Sequence, residues 1–127
     1  MNILGIDYGK KRIGLAWCDP AIGVVLPYGV VEQSAISNQL SALADLITKE
    51  KIDEIVVGMP HGLDSAENEN TRQVREFIEK LKAVSRKPIA MVDERFTSAE
   101  ADRMGGDATR DEKAAMLLLQ AYLERLQ

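Results

Sequence analysis

MNILGIDYGKKRIG, Met1 to Gly14, is the stretch whose reading decides the fold. Ile3 to Ile6 is a short apolar run that predicts a buried strand, and it delivers Asp7 to its end. The Gly-rich basic turn Tyr8-Gly9-Lys10-Lys11-Arg12 follows at once. A carboxylate held at the end of a rigid strand, beside a turn whose backbone can approach phosphate closely, suits metal-assisted phosphate chemistry. Asp and Gly are also common in ordinary hairpin turns, so the motif needs support from the rest of the chain.

Working outward, Ile13 to Cys18 reads as a second strand, close enough to the first for an antiparallel hairpin. Asp19-Pro20 breaks it. Val24 to Val31 is a third run, and Pro27 and Gly29 inside it predict an edge or irregular strand. From Ser37 or Asn38 the pattern changes to Leu40, Leu43, Ala44 and Ile47, one face of a helix ending near Glu50. Asp53 to Gly58 holds a strand apolar on both sides, as in the centre of a parallel sheet. Ser65 could cap a second helix with the stripe Val74, Phe77, Ile78 and Leu81. Ile89 to Val92 is a fifth strand, running into Asp93-Glu94-Arg95. Thr97-Ser98-Ala99-Glu100 has capping-box spacing and predicts a short helix to about Met104. Gly105-Gly106-Asp107 interrupts, and a last helix runs from Asp111 to about Leu126.

The order βββαβαβα predicts an α/β fold: a mixed five-stranded sheet, three antiparallel strands then parallel ones, flanked by helices. A site is expected at the C-terminal ends of the parallel strands. At 127 residues the expectation is one domain, 1–127, with a real core. With 46% hydrophobic and 28% charged residues and no apolar run long enough to span a bilayer, a soluble cytoplasmic protein without a membrane partner is expected. One cysteine, Cys18, and one histidine, His61, make a poor zinc site, and Cys18 reads as a small core residue. The net charge of -4 argues mildly against coating nucleic acid by bulk electrostatics, although acids reserved for a cation also count in that total.

Asp7 ends the first strand, and Asp93 and Glu94 end the fifth. If those two strands lie side by side, their acids reach one metal cluster. Only one acid of the pair can face that cluster, because alternate residues point opposite ways, and the pattern alone does not settle which. Asp111, at the start of the last helix, projects with Ala115, Leu118 and Tyr122, opposite the polar stripe of Lys113, Gln120 and Glu124, and so faces the sheet. An acid there either caps the helix or acts as a ligand. Three carboxylates suit Mg2+ or Mn2+, and two such ions would serve phosphodiester hydrolysis. Lys10, Lys11, Arg12 and Arg95 are the candidate nucleic-acid contacts.

The segments GIDYGKKRIGLA (Gly5 to Ala16), IVVGMP (Ile55 to Pro60), DERFTSAEA (Asp93 to Ala101) and DEKAAMLLLQAYL (Asp111 to Leu123) resemble, in order, the YqgF family, also called RuvX, of RNase H-like nucleases. That resemblance implies an RNase H-like fold and an acidic site at Asp7, Glu94 and Asp111, preferring Glu94 to Asp93. It also implies either 5′-end maturation of pre-16S ribosomal RNA, which is the reading preferred, or resolution of Holliday junctions. Leu63-Asp64-Ser65 departs from the family, whose members usually have Gly after the acid. A symmetric junction cut needs two sites and hence a homodimer. Two rivals come from other classes. One is an ATP-binding domain of the actin and sugar-kinase type, whose Asp-x-Gly turn Asp7-Tyr8-Gly9 imitates, though only one of its two domains would be present. The other is a non-catalytic RNA-binding or assembly factor of the same fold.

Overall fold

In a computed structural model, the structure describes residues 1–9, 11–32, 36–59, 69–93 and 105–125. Strands β1 (Ile3–Tyr8), β2 (Arg12–Asp19) and β3 (Val24–Glu32) precede helix α1 (Ile36–Lys49). Strand β4 (Glu54–Met59), helix α2 (Glu69–Ser85), strand β5 (Ile89–Asp93) and helix α3 (Arg110–Arg125) follow. The five strands form one sheet in the order β3-β2-β1-β4-β5. β1 pairs antiparallel with β2 and β2 with β3, whereas β1 with β4 and β4 with β5 are parallel.

The expected mixed sheet is therefore present, with one correction. β1 and β5 are not side by side; β4 lies between them. Two ladder spacings, roughly 10 Å, separate their ends rather than one. The central position of β4 follows from its sequence, since Ile55, Val56, Val57 and Met59 are all buried and a strand covered on both faces belongs inside the sheet. The expected helix over Thr97 to Met104 and the cap at Ser65 lie outside the described residues.

Alternation along the strands creates two cores. Leu4 and Ile6 of β1, Ile13 and Leu15 of β2, and Ile55, Val57 and Met59 of β4 pack against α1 through Leu40, Leu43 and Ile47. The same residues meet α2 through Val74, Phe77, Ile78 and Leu81. On the opposite face Ile3, Ala16, Cys18, Val56 and Val92 pack against Ala115, Leu118 and Leu119 of α3. Cys18 is fully buried there, as a small core residue. β3 is one of the two edge strands, and its register with β2 slips between Leu15 and Ala16 of β2 so that Tyr28 is the extra residue of a bulge. Pro27 and Gly29 flank that bulge, which is the irregularity their presence predicts.

Helix α3 crosses the sheet unusually close, because small residues lie beneath it. A Cβ at Gly5 would stand 2.6 Å from Leu119 Cγ, and one at Gly14 only 2.0 Å from the main-chain oxygen of Asp111. Contact at that range seats the N-terminus of α3 on β2 and fixes where Asp111 stands.

Candidate active site

Asp7 is the penultimate residue of β1 and shares its face with Ile3, which lies in the α3 core. Its cross-strand partner is Gly14. Cross-strand neighbours on one face have Cβ positions roughly 5 Å apart, and the Cβ of Asp111 lies 2.9 Å from the place a Gly14 Cβ would occupy. The Cβ atoms of Asp7 and Asp111 are consequently within roughly 8 Å, and carboxylates at that separation can reach one cation. Both acids are half-buried. The helical period places Asp111 on the sheet side with Ala115 and Leu118, and the buried Ala115 and Leu118 bear that out.

The sequence left Asp111 to serve either as a cap or as a ligand. The structure assigns the cap to its neighbours. The hydroxyl oxygen of Thr109 accepts the Glu112 main-chain N–H at 3.1 Å, and Glu112 Oε1 accepts the Thr109 main-chain N–H at 3.0 Å. That reciprocal pair is a capping box. Thr109-Arg110-Asp111-Glu112 carries its S/T-x-x-E signature, so this was legible in the sequence and was missed. With the cap supplied, the Asp111 carboxylate is available beside the positive end of the helix, where a negative charge is favoured. Arg12, the first residue of β2, engages it: Arg12 Nε stands 3.1 Å from Asp111 Oδ2.

Asp93 is placed away from this pair. It is in register with Met59, and Met59 belongs to the core under α1 and α2, on the opposite face of the sheet from Asp7. Its neighbour Val92 is the β5 residue packed toward α3. Glu94, Arg95, Lys10 and His61 lie outside the described residues. Among the described residues no group of three or more His, Cys, Asp or Glu stands together as a metal cluster. Lys11 and Arg12 are exposed at the same end of the sheet as Asp7. Tyr8 turns to the other face, where its ring stacks on Phe77 at a centroid distance of 4.3 Å. Burial, and then the charge of Glu76, raises the Tyr8 pKa and keeps its hydroxyl protonated.

A family model described as RuvX, Holliday junction resolvase, matches residues 1–125. The chain belongs to the RuvX family. A relative from Maridesulfovibrio salexigens, named "Putative pre-16S rRNA nuclease", is 37% identical over an alignment covering 98% of this chain and 99% of the relative. One of the same name from Dictyoglomus turgidum is 38% identical, covering 99% and 96%. The fold is similar to that of RuvC from Thermus thermophilus, solved in complex with a Holliday junction substrate, with a TM-score of 0.68 and 14% identity over 99% of this chain and 96% of that one. The fold is RNase H-like, and RuvX membership makes the chain a hydrolase of the nuclease class, acting on phosphodiester bonds. That classification removes the kinase-type rival. No helix among the described residues is long and apolar enough to cross a membrane.

The donor set also fits the cation class expected of a RuvX nuclease. Asp7 and Asp111 offer only hard oxygen ligands from a strand end and a helix start. The one thiol, Cys18, is buried in the core, with its pKa pushed up from 9.0 to about 11, first by burial and then by Asp19 and Glu54. A protonated core thiol is no ligand for a soft metal.

Proposed function

We propose that the chain is a single nuclease domain, 1–127, a metal-dependent endonuclease that trims the 5′ end of pre-16S ribosomal RNA in the cytoplasm. The observation that carries this reading is the approach of Asp7 and Asp111 across Gly14, with Thr109 and Glu112 relieving Asp111 of capping. Glu94 is the third acid of the proposal. Its support is the motif DERFTSAEA together with the position of Asp93, whose register partner Met59 lies in the other core.

Asp7, Glu94 and Asp111 would hold two Mg2+ or Mn2+ ions, which when bound activate water and stabilise the leaving oxygen. The chain's own part is positional. β1 holds Asp7 against sideways motion through its ladders with β2 and β4. The capping box fixes the start of α3, and therefore Asp111, relative to Asp7. Lys10, Lys11, Arg12 and Arg95 are the cations proposed to hold the phosphates flanking the cut, Arg by its planar fork and Lys as a point charge. The names of the relatives support ribosomal RNA as substrate.

A second reading, resolution of branched DNA by a homodimer, is favoured by the likeness to a resolvase seen on a Holliday junction. One experiment separates the readings. Purified wild type and Asp7→Asn are incubated with Mg2+ or Mn2+ on a precursor 16S leader RNA and on a four-way DNA junction. The expected result is cleavage of the leader by wild type alone. Symmetric cutting of the junction in preference to the leader supports the resolvase. Equal cleavage by Asp7→Asn overturns the metal site, and cleavage of neither substrate by metal-bound wild type leaves a non-catalytic RNA-binding factor.

A further inference from the structure

The Arg12–Asp111 ion pair has a position that an ordinary surface pair lacks. Its acid is one of the two carboxylates brought together at the end of the sheet, and its base lies two residues before Gly14, on which Asp111 rests. Asp7 and Asp111, both half-buried within roughly 8 Å, repel each other unless a positive charge stands between or beside them. Arg12 supplies that charge through Nε at 3.1 Å. The Arg12 side chain is 60% exposed, so solvent screens the pair and it is held only weakly. A divalent cation offers Asp111 twice the charge. It also repels a guanidinium a few ångströms away.

We propose that Arg12 is an exchangeable counter-ion. It holds Asp111 when no divalent cation is bound, gives it up when the cation arrives, and turns its freed guanidinium to a substrate phosphate. The inference rests on the metal site proposed above and adds an order of events to it. By linkage, the cation and the nucleic acid then strengthen each other's binding, because the cation releases the phosphate-binding group that Asp111 restrains.

The decisive measurement is calorimetric titration of Mn2+ alone into wild type, Arg12→Gln, Arg12→Lys and Asp111→Asn. Arg12→Gln should bind Mn2+ about 2- to 5-fold more tightly than wild type, the range expected for releasing an exposed ion pair. Arg12→Lys should stay near wild type. With a phosphorothioate RNA oligonucleotide that resists cleavage, Mn2+ should strengthen binding to wild type and do so much less for Arg12→Gln. A merely structural Arg12 would move unfolding and leave this coupling untouched. A second measurement needs no variant: titrating Mg2+ into 15N-labelled wild type should shift the Arg12 Nε–H resonance toward its solvent-exposed value. Mn2+ affinity unchanged or weakened in Arg12→Gln, or an Arg12 resonance indifferent to Mg2+, overturns the exchange alone. Absence of Mn2+ binding by wild type, or equal binding by Asp111→Asn, overturns the metal site and the exchange with it.

Discussion

The main-chain carbonyl of Asp111 occupies the space that any side chain at Gly14 would need, 2.0 Å from where its Cβ would lie. A methyl group there meets backbone, which cannot swing aside as a side chain could. Gly14→Ala should therefore lift the first turn of α3 from β2 and cost about 3 kcal/mol. It should also abolish cleavage, because Asp111 moves relative to Asp7 while the strand register survives. Urea unfolding and the cleavage assay test the two parts separately. Wild-type stability in Gly14→Ala would show that α3 is not seated as described.

Thr109 and Glu112 act as one device at the start of α3. Removing either leaves the other without its partner, so the losses should not add. Thr109→Ala and Glu112→Ala should each cost about 1 kcal/mol, and the double variant little more. Denaturant midpoints of the four proteins measure the coupling directly. Additive losses would mean that the two hydrogen bonds are independent.

Much of this arrangement was legible before any coordinates. The helical period through Asp111, Ala115 and Leu118 assigns a face correctly, because a side chain's direction follows from the backbone repeat. The irregular edge strand was legible from Pro27 and Gly29. The neighbour of β1 was legible only in part, since the run Ile55 to Val57 marks a central strand but does not say which strand adjoins β1. Which parallel strand sits beside it depends on where the crossovers land, and nothing local in Ile89 to Asp93 encodes the insertion of β4. The residues alone left Asp93 and Glu94 open for the same reason, since the face of Asp93 is set by its register with Met59 on another strand. The Thr109 cap was present in the sequence and was overlooked because Asp111 offered itself as a capping residue one turn too readily.

Two buried-side protons make the fold sensitive to alkali. Tyr122, on α3, donates its hydroxyl hydrogen to Glu54 at the start of β4, and that bond, followed by burial, pushes its pKa up to about 12. Cys18, on the same face, is pushed up from 9.0 to about 11, chiefly by burial. Both groups are neutral when protonated, and both hold the proton more tightly folded than unfolded. Their contribution is whole below about pH 9 and is lost as pH climbs, through about 11 for the thiol and about 12 for the phenol. For the fully buried Cys18 the loss is on the order of 2 kcal/mol. Urea midpoints measured from pH 7 to 11.5 should be flat at first and then fall. Cys18→Ala should flatten the earlier part of the fall and Tyr122→Phe the later part, each relative to wild type in the same buffers. Parallel curves for all three proteins would mean that other groups, Tyr8 and Tyr28 with their raised pKa values among them, govern the alkaline loss.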